Sequence, residues 1–320
     1  MKRLFISVVS VSMLALVTQA AVAAQNYGDI GVNARLEAMG SKLRLAYAEY
    51  SVSKEGSFDT VRTVFFKNTG NKQLFSHWVP GDERPFGDPT TEMVYVTDLV
   101  DGVANAGGGG TIDAATTTTQ IVQGMEAWNA IDCSSIPIVD GGAYNLDLGL
   151  VEAIVDSQAG LGLGSTGLTL EGGITHGGWL PFEFFEFIGG PGGGNGILGV
   201  TFTFIWLDDE GNPADINADG KIDTALREIY MNNNFAWEIG NTQGTGVFDI
   251  VAVMNHEQGH ALSQGHFGSI MLNGAGKLIW TPKDGDNVML AAISSNQLFE
   301  GFQGSDIGGH CSIWATWPLK

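Results

Sequence analysis

The stretch "NHEQGHALSQGH", residues 255 to 266, constrains this chain more than any other feature of its sequence. It holds three of the six histidines, His256, His260 and His266, and Glu257 directly follows the first. On a helix, His256 and His260 project from nearly the same face, and Glu257 lies on a flank that reaches the same spot. Residue type and spacing therefore indicate a metal site with a carboxylate beside it.

Two imidazoles four residues apart on a helix can hold one zinc ion, and the glutamate of H-E-x-x-H acts as a base next to it. His266 supplies a third ligand if Gly265 lets the chain leave the helix and turn back. One alternative is a solvated polar face that binds nothing. Another is a structural zinc site, but such sites usually close with four protein ligands, and no cysteine lies nearby. We predict catalytic zinc on His256, His260 and His266, with Glu257 as the general base.

The surrounding pattern predicts mixed secondary structure. Apolar residues at helical intervals, with Asp249 in position to cap the start, place the histidines on a helix. A second amphipathic helix is predicted at about 114 to 130, and "ILGVTFTFIWL" and "REIYMNNNFAW" are predicted to form an antiparallel hairpin. The glycine-broken pieces between 135 and 190, including "LGLVEAIVD" and "PFEFFEF", are interpreted as strands.

The stretch "VFDIVAVMNHEQGHALSQGH" resembles the active-site helix of the metzincin zinc proteases, particularly the matrixin-like branch. "REIYMNNNFAW" resembles the strand before that helix, "ILGVTFTFI" the substrate-binding edge strand, and "TTQIVQGMEAWNAI" the first helix. The resemblance covers about residues 92 to 320 and is specific at the metal site. It implies a substrate that lies extended against the strand at about 197 to 206.

The chain departs from the family pattern in three places. Ser263 stands where the family has glycine, so the turn before His266 must be made differently. The methionine turn has two candidates, Met271 and Met289, and we prefer Met289 because "SIMLNGAGKLIW" is typical of a β-hairpin. The matrixins commonly use a propeptide cysteine on zinc, and residues 25 to 92 contain no cysteine. If this segment is a propeptide, it must inhibit in another way.

A second metal candidate lies in "DINADGKID", between the two strands of the hairpin. Oxygen-bearing side chains and one backbone position fall at calcium-loop offsets, but the position of the final bidentate glutamate is Leu226 and the flanks are strand-like. We predict a structural calcium loop, against the alternative of a solvated acidic turn. Its ligands would come from Asp215, Asn217, Asp219, Lys221 and Asp223.

Composition and termini limit the partners. A formal net charge of -20 disfavours nucleic acid and anionic membranes. Residues 1–24 have the pattern of a secretory signal peptide, and no later stretch is apolar enough for a membrane anchor. An exported chain with two cysteines predicts a Cys133–Cys311 disulfide, with free thiols or a metal thiolate pair as alternatives.

These observations predict an α+β, zincin-like fold with a mixed twisted sheet, an active-site helix and a C-terminal subdomain. Residues 25–92 would form a β-rich extension or propeptide, and 93–320 the catalytic domain. The predicted activity is secreted, zinc-dependent hydrolysis of peptide bonds in protein or peptide substrates. Two alternatives stay open: a secreted zinc- and calcium-binding module without turnover, and a zinc hydrolase of a non-peptide bond.

Overall fold

The computed structural model describes residues 30–54, 66–67, 73–85, 87, 89–99, 102–104, 110–167, 173–240, 246–272, 278–281, 287–295, 297–299 and 301–319. The predicted signal peptide at 1–24 lies outside the described residues. The described strands are β1 Leu43–Ser53, β2 Phe66–Lys67, β3 Ser76–His77, β4 Met93–Asp98, β5 Val103–Ala104, β6 Thr111–Ile112, β7 Ile138–Tyr144, β8 Ile174–Leu180, β9 Ile197–Trp206, β10 Ile222–Asn232, β11 Ala236–Glu238, β12 Val247–Asp249, β13 Ser269–Leu272, β14 Leu278–Thr281 and β15 Ala292–Ile293. The described α-helices are α1 Val32–Ala38, α2 Ala114–Glu126, α3 Leu150–Ala159, α4 Phe182–Gly189, α5 Gly193–Gly196, α6 Ile250–Ala261 and α7 Gly304–Trp314.

A mixed sheet organises the chain, in the order β15-β1-β9-β10-β8-β4-β7, with β3 also paired to β10. β9 is antiparallel to both of its neighbours, β1 and β10. β10, β8, β4 and β7 pair in parallel. The predicted mixed α+β class and the β9–β10 hairpin are therefore confirmed.

Helices cover both faces of this sheet. Along β10, Ile229 and Met231 belong to one apolar cluster, and Tyr230 between them belongs to another. Side chains alternate across a strand, so the two clusters lie on opposite faces. The first contains Trp128, Met254 and Met289 and holds the histidine helix α6 against the sheet. The second cluster packs α1, α3 and α4 against the other face.

Two strand predictions between 135 and 190 were wrong, because "LGLVEAIVD" and "PFEFFEF" lie largely in helices α3 and α4. In α3 the buried residues Val151, Ile154 and Val155 recur at helical spacing. In α4 the aromatic residues bury one face, including Phe184 and Phe185, against the second cluster. Glycines around these short runs resembled strand boundaries, although the apolar period is helical.

Strands that precede residue 92 take part in the same sheet. β1 pairs with β9, and β3 pairs with β10. Trp78, which follows β3, is buried in the first cluster, and its indole N–H donates to the Ala261 carbonyl of α6 at 2.9 Å. The division of the chain at residue 92 stays a prediction.

The predicted disulfide is formed between Cys133 and Cys311, whose Cα atoms lie 5.7 Å apart. It links the segment after α2 to helix α7. Within the described ranges, no helix has both the length and the apolarity needed to cross a bilayer.

Candidate metal centre

Helix α6 begins where the sequence predicted. Asp249 has extended backbone, and its carboxylate accepts a hydrogen bond from the Ala252 N–H at 2.7 Å. From this fixed start, His256 and His260 fall on the same helix face, and His266 returns toward them after the helix ends. All three imidazoles are buried. They form the one group of three or more such metal-ligating side chains that comes together in the described part of the chain.

The three Nε2 atoms converge. They lie 3.0 Å apart for His256 and His260, and 3.1 Å apart for each of these with His266. Ligands held tetrahedrally at zinc–nitrogen distances of about 2.0–2.1 Å lie roughly 3.3 Å from one another. The triangle is therefore close to the size that zinc requires.

The other ring nitrogens explain why the Nε2 atoms need a cation. Nδ1 of His256 lies 2.6 Å from the Val288 carbonyl oxygen, and Nδ1 of His260 lies 2.8 Å from the Gln264 carbonyl oxygen. Both Nδ1 atoms must carry the proton to donate there, so both Nε2 atoms present lone pairs. Lone pairs this close repel one another unless a cation lies between them. The donor set thus fits a zinc ion.

Burial also keeps the imidazoles in the metal-binding form. Desolvation, assisted by the neighbouring imidazoles, lowers the pKa of His256 to about 3 and the pKa of His260 well below its usual value. Neutral imidazole is the form that binds metal, so near neutral pH no proton competes for these two ligands.

The turn that returns His266 is made by Ser263, and the expectation that Gly265 would make it is wrong. Ser263 has φ +66°, the left-handed conformation that ends many helices, and Gly265 is not among the residues with positive φ. The buried guanidinium of Arg227 stabilises this turn, since it donates to the Ser263 hydroxyl at 3.1 Å and also to the His260 carbonyl. A serine therefore makes this turn, with support from β10. Nothing near the histidines in the sequence pointed to Arg227.

Glu257 lies beside the cluster and is fully buried. Its Oε1 accepts from the Ser51 hydroxyl at 2.5 Å and the Ser51 N–H at 3.2 Å, and its Oε2 accepts from the Thr201 hydroxyl at 2.7 Å. Gly199 makes room for this carboxylate, because a Cβ there would lie 2.9 Å from Oε1. Burial raises the pKa of Glu257 to about 8, although these hydrogen bonds lower it.

Strand β1 contributes a second carboxylate that the sequence analysis missed. Oε2 of Glu49 lies 3.1 Å from Nδ1 of His266. A carboxylate at this position favours the proton on Nδ1 and orients Nε2 toward the metal. Glu49 and Ser51 are two residues apart on one strand, so their side chains share a face. β1 therefore passes over both the histidines and Glu257.

Met289 lies beneath the histidine helix. A side chain at Gly259 of α6 would collide with the Met289 sulfur, so the two residues are in direct contact. The buried carboxylate of Asp306 fixes this turn, since it accepts from the Val288 N–H at 3.0 Å and the Met289 N–H at 3.1 Å. The role of Met289 as the methionine turn stays a prediction. Met271 lies in β13, where side chains are outside the described part of the structure.

In the acidic tip between β9 and β10, the carboxylates accept hydrogen bonds from other groups of the chain. Asp215 accepts from the backbone N–H groups of Asp219 and Gly220 at 3.1 and 3.0 Å. Asp223 accepts from Arg84 at 2.9 Å and from the Ile216 N–H at 3.1 Å. Among the described residues, these carboxylates do not converge on one point as the histidines do. The backbone N–H of Lys221 donates to the Asp219 carboxylate at 2.8 Å.

Comparison with known proteins adds no family to this description. No protein-family model matches the chain, and no curated protein matches it. The site is therefore described from its own residues: three converging imidazoles, a buried glutamate one position along the helix, and a strand that covers both.

Proposed function

We propose that this chain is a secreted, zinc-dependent endopeptidase of the metzincin type, similar to the matrixin-like branch. The observation that carries the proposal is the convergence of three Nε2 atoms beside Glu257 on a helix packed against β9. Catalytic zinc sites use three protein ligands and leave one position for water or substrate, and this donor set has three. The resemblance of the α6 sequence to the metzincin helix supplies the expectation of a peptide substrate.

His256, His260 and His266 would hold the zinc, each with its Nδ1 facing an oxygen that fixes the ring. When bound, zinc polarises a carbonyl and lowers the pKa of a water molecule. The chain's own contribution is to hold three converging imidazoles in a buried site and to place a carboxylate beside them.

Glu257 is the proposed general base and acid. It would accept a proton from water and return it to the nitrogen of the leaving amine. Burial raises the pKa of Glu257 to about 8. A bound dication would favour the ionised form and bring this pKa back toward neutral pH, where a general base works best. A site that only binds metal has no need of a carboxylate at this position.

The substrate would lie extended along β9, where main-chain hydrogen bonds recognise a peptide irrespective of its sequence. In the intact chain β1 holds this edge of β9. A structural calcium ion at the acidic tip stays a sequence-based prediction, and the proposed activity does not depend on it.

The test compares digestion of unfolded casein by the zinc-loaded protein and by Glu257→Gln, with zinc content measured in both. Because Ser51 covers Glu257, each is also assayed with Val52→Pro, which removes a backbone donor from β1. The proposal expects cleavage that Glu257→Gln reduces by about 100-fold or more while zinc stays bound. Equal cleavage by both proteins, or none with zinc bound and β1 loosened, would contradict it.

A further inference from the structure

Strand β1 runs directly through the candidate active site. On one side it is antiparallel to β9, with Tyr50 opposite Val200 and Ser51 opposite Gly199. On the other it is parallel to β15, and the Val52 N–H donates to the Ala291 carbonyl at 2.8 Å. The strand therefore fills the groove between β9 and the segment that follows Met289.

The side chains of β1 divide between the site and the core. Glu49 and Ser51 face the metal centre, where they contact His266 and Glu257. Three residues that alternate with them are buried in the second apolar cluster: Ala48, Tyr50 and Val52. The strand is thus held by backbone pairing on both edges and by apolar packing beneath.

Strand β1 covers Glu257, the proposed catalytic base. Ser51 donates twice to Oε1 of Glu257, and Thr201 donates to Oε2. These three donors take most of the lone-pair positions through which the carboxylate could accept from a water molecule. Glu257 is fully buried, and β1 covers the Oε1 side of its carboxylate.

We propose that β1 is an internal inhibitory strand, which occupies the place of an extended peptide substrate until it is displaced. The inference rests on the proposed function and adds a regulatory role for Glu49 and Ser51. Because β1 belongs to the same chain, its effective concentration at the groove is high, and an external peptide competes poorly with it. The intact chain is therefore latent without a cysteine on the metal.

A permanent structural role for β1 makes the opposite prediction. If Glu49 serves mainly to orient His266, loosening β1 should weaken zinc binding and lower activity. If β1 is inhibitory, loosening it should expose the metal and raise activity. The two roles are separated by measuring metal access and turnover in the same protein.

The first experiment uses the full chain with Val52→Pro, which removes the donor to Ala291. Arg44→Ala, an exposed change on the same strand, is the control. Zinc transfer to a chromophoric chelator and cleavage of a quenched peptide library are both measured, and circular dichroism checks the fold. We expect both rates to rise by about tenfold or more in Val52→Pro, and neither to change in Arg44→Ala.

The second experiment allows the chain to fold before β1 is loosened. Residues 58–63 are replaced by the recognition sequence of a site-specific protease, and the folded, zinc-loaded protein is cut there. Cutting removes the covalent tether and lowers the effective concentration of β1. A synthetic peptide of residues 43–54 should then inhibit the cut protein, and the same peptide with Glu49→Ala and Ser51→Ala should inhibit about tenfold less.

The outcomes separate the two proposals. Unchanged zinc transfer in both the Val52→Pro and the cut protein would overturn the inhibitory role, as would zinc loss together with loss of activity. Faster zinc transfer at unchanged zinc affinity, without cleavage of any peptide, would support the role of β1 as a cover and contradict the endopeptidase function.

Discussion

The histidine cluster and the acidic tip both carry metal-ligating residues at regular sequence offsets, yet the folded chain uses them differently. In the cluster, backbone carbonyls occupy Nδ1 of His256 and His260 and leave the Nε2 atoms facing one another. In the tip, backbone N–H groups and Arg84 occupy the carboxylates of Asp215 and Asp223 themselves. Ligand spacing alone therefore does not decide whether the ligand atoms are available.

The largest expected difference between the two regions is in metal-linked stability. Zinc at about 1,000 times its Kd should stabilise the protein by about 4 kcal/mol, because the folded state alone presents the three imidazoles together. If the predicted calcium loop forms, millimolar calcium should raise the melting temperature by less, because carboxylates of the tip already accept hydrogen bonds from the chain. Differential scanning calorimetry of the metal-free protein with each ion checks this, and an equal upward shift with calcium would show that the tip rearranges into a metal site.

Removing one ligand should weaken zinc binding strongly. Zinc sites with four ligands contribute about 10–16 kcal/mol, so His256→Ala should cost roughly 3 kcal/mol, or over 100-fold in affinity. The matched control is His176→Leu, since His176 is buried on β8 and its ring nitrogens have no hydrogen-bond partner among the described residues. Competition with a chelator of known affinity measures both, and equal affinities would place the zinc elsewhere.

At the tip, the expected effect is on stability. Asp223 is buried and accepts from Arg84, so Asp223→Asn should lower the free energy of unfolding by about 1–3 kcal/mol. Asp209→Asn is the control, because its side chain is 96% exposed although it pairs with Lys42. Urea unfolding should show no measurable change for the control. A stabilising Asp223→Asn in calcium-free buffer would indicate that the acidic side chains repel one another there.

An effect of similar size is a pH dependence from a histidine outside the cluster. Burial lowers the pKa of His176 to about 3, so below about pH 6.5 the unfolded chain binds a proton that the folded chain does not. Stability is then lost as pH falls, by about 2 kcal/mol between pH 7 and pH 5 for this group. His176→Leu should remove that part of the loss in metal-free protein. Parallel pH profiles of the two proteins would contradict the assignment.

The sequence predicted the parts of the site that lie on regular elements. The four-residue spacing of His256 and His260 fixes their shared face on any helix, and Asp249 marks where that helix begins. The antiparallel pairing of β9 with β10 also followed from two clear strand patterns. These features depend on local sequence, which is why they could be predicted.

The remaining parts depend on contacts distant in sequence. Glu49 and Ser51 reach the site from more than two hundred residues away, and Arg227 reaches the Ser263 turn from β10. No local pattern distinguishes a strand that covers an active site from one that forms a separate extension. The short helices α3 and α4 were missed because flanking glycines obscured their apolar period.

The most direct test of the metal centre is zinc-edge X-ray absorption of the zinc-loaded full chain. Our account predicts one zinc per chain with three imidazole nitrogens at about 2.0–2.1 Å and light-atom scatterers only. His256→Ala should lose this signal, and His176→Leu should keep it. A spectrum with sulfur ligands, or with fewer than two imidazoles, would contradict a centre built from His256, His260 and His266.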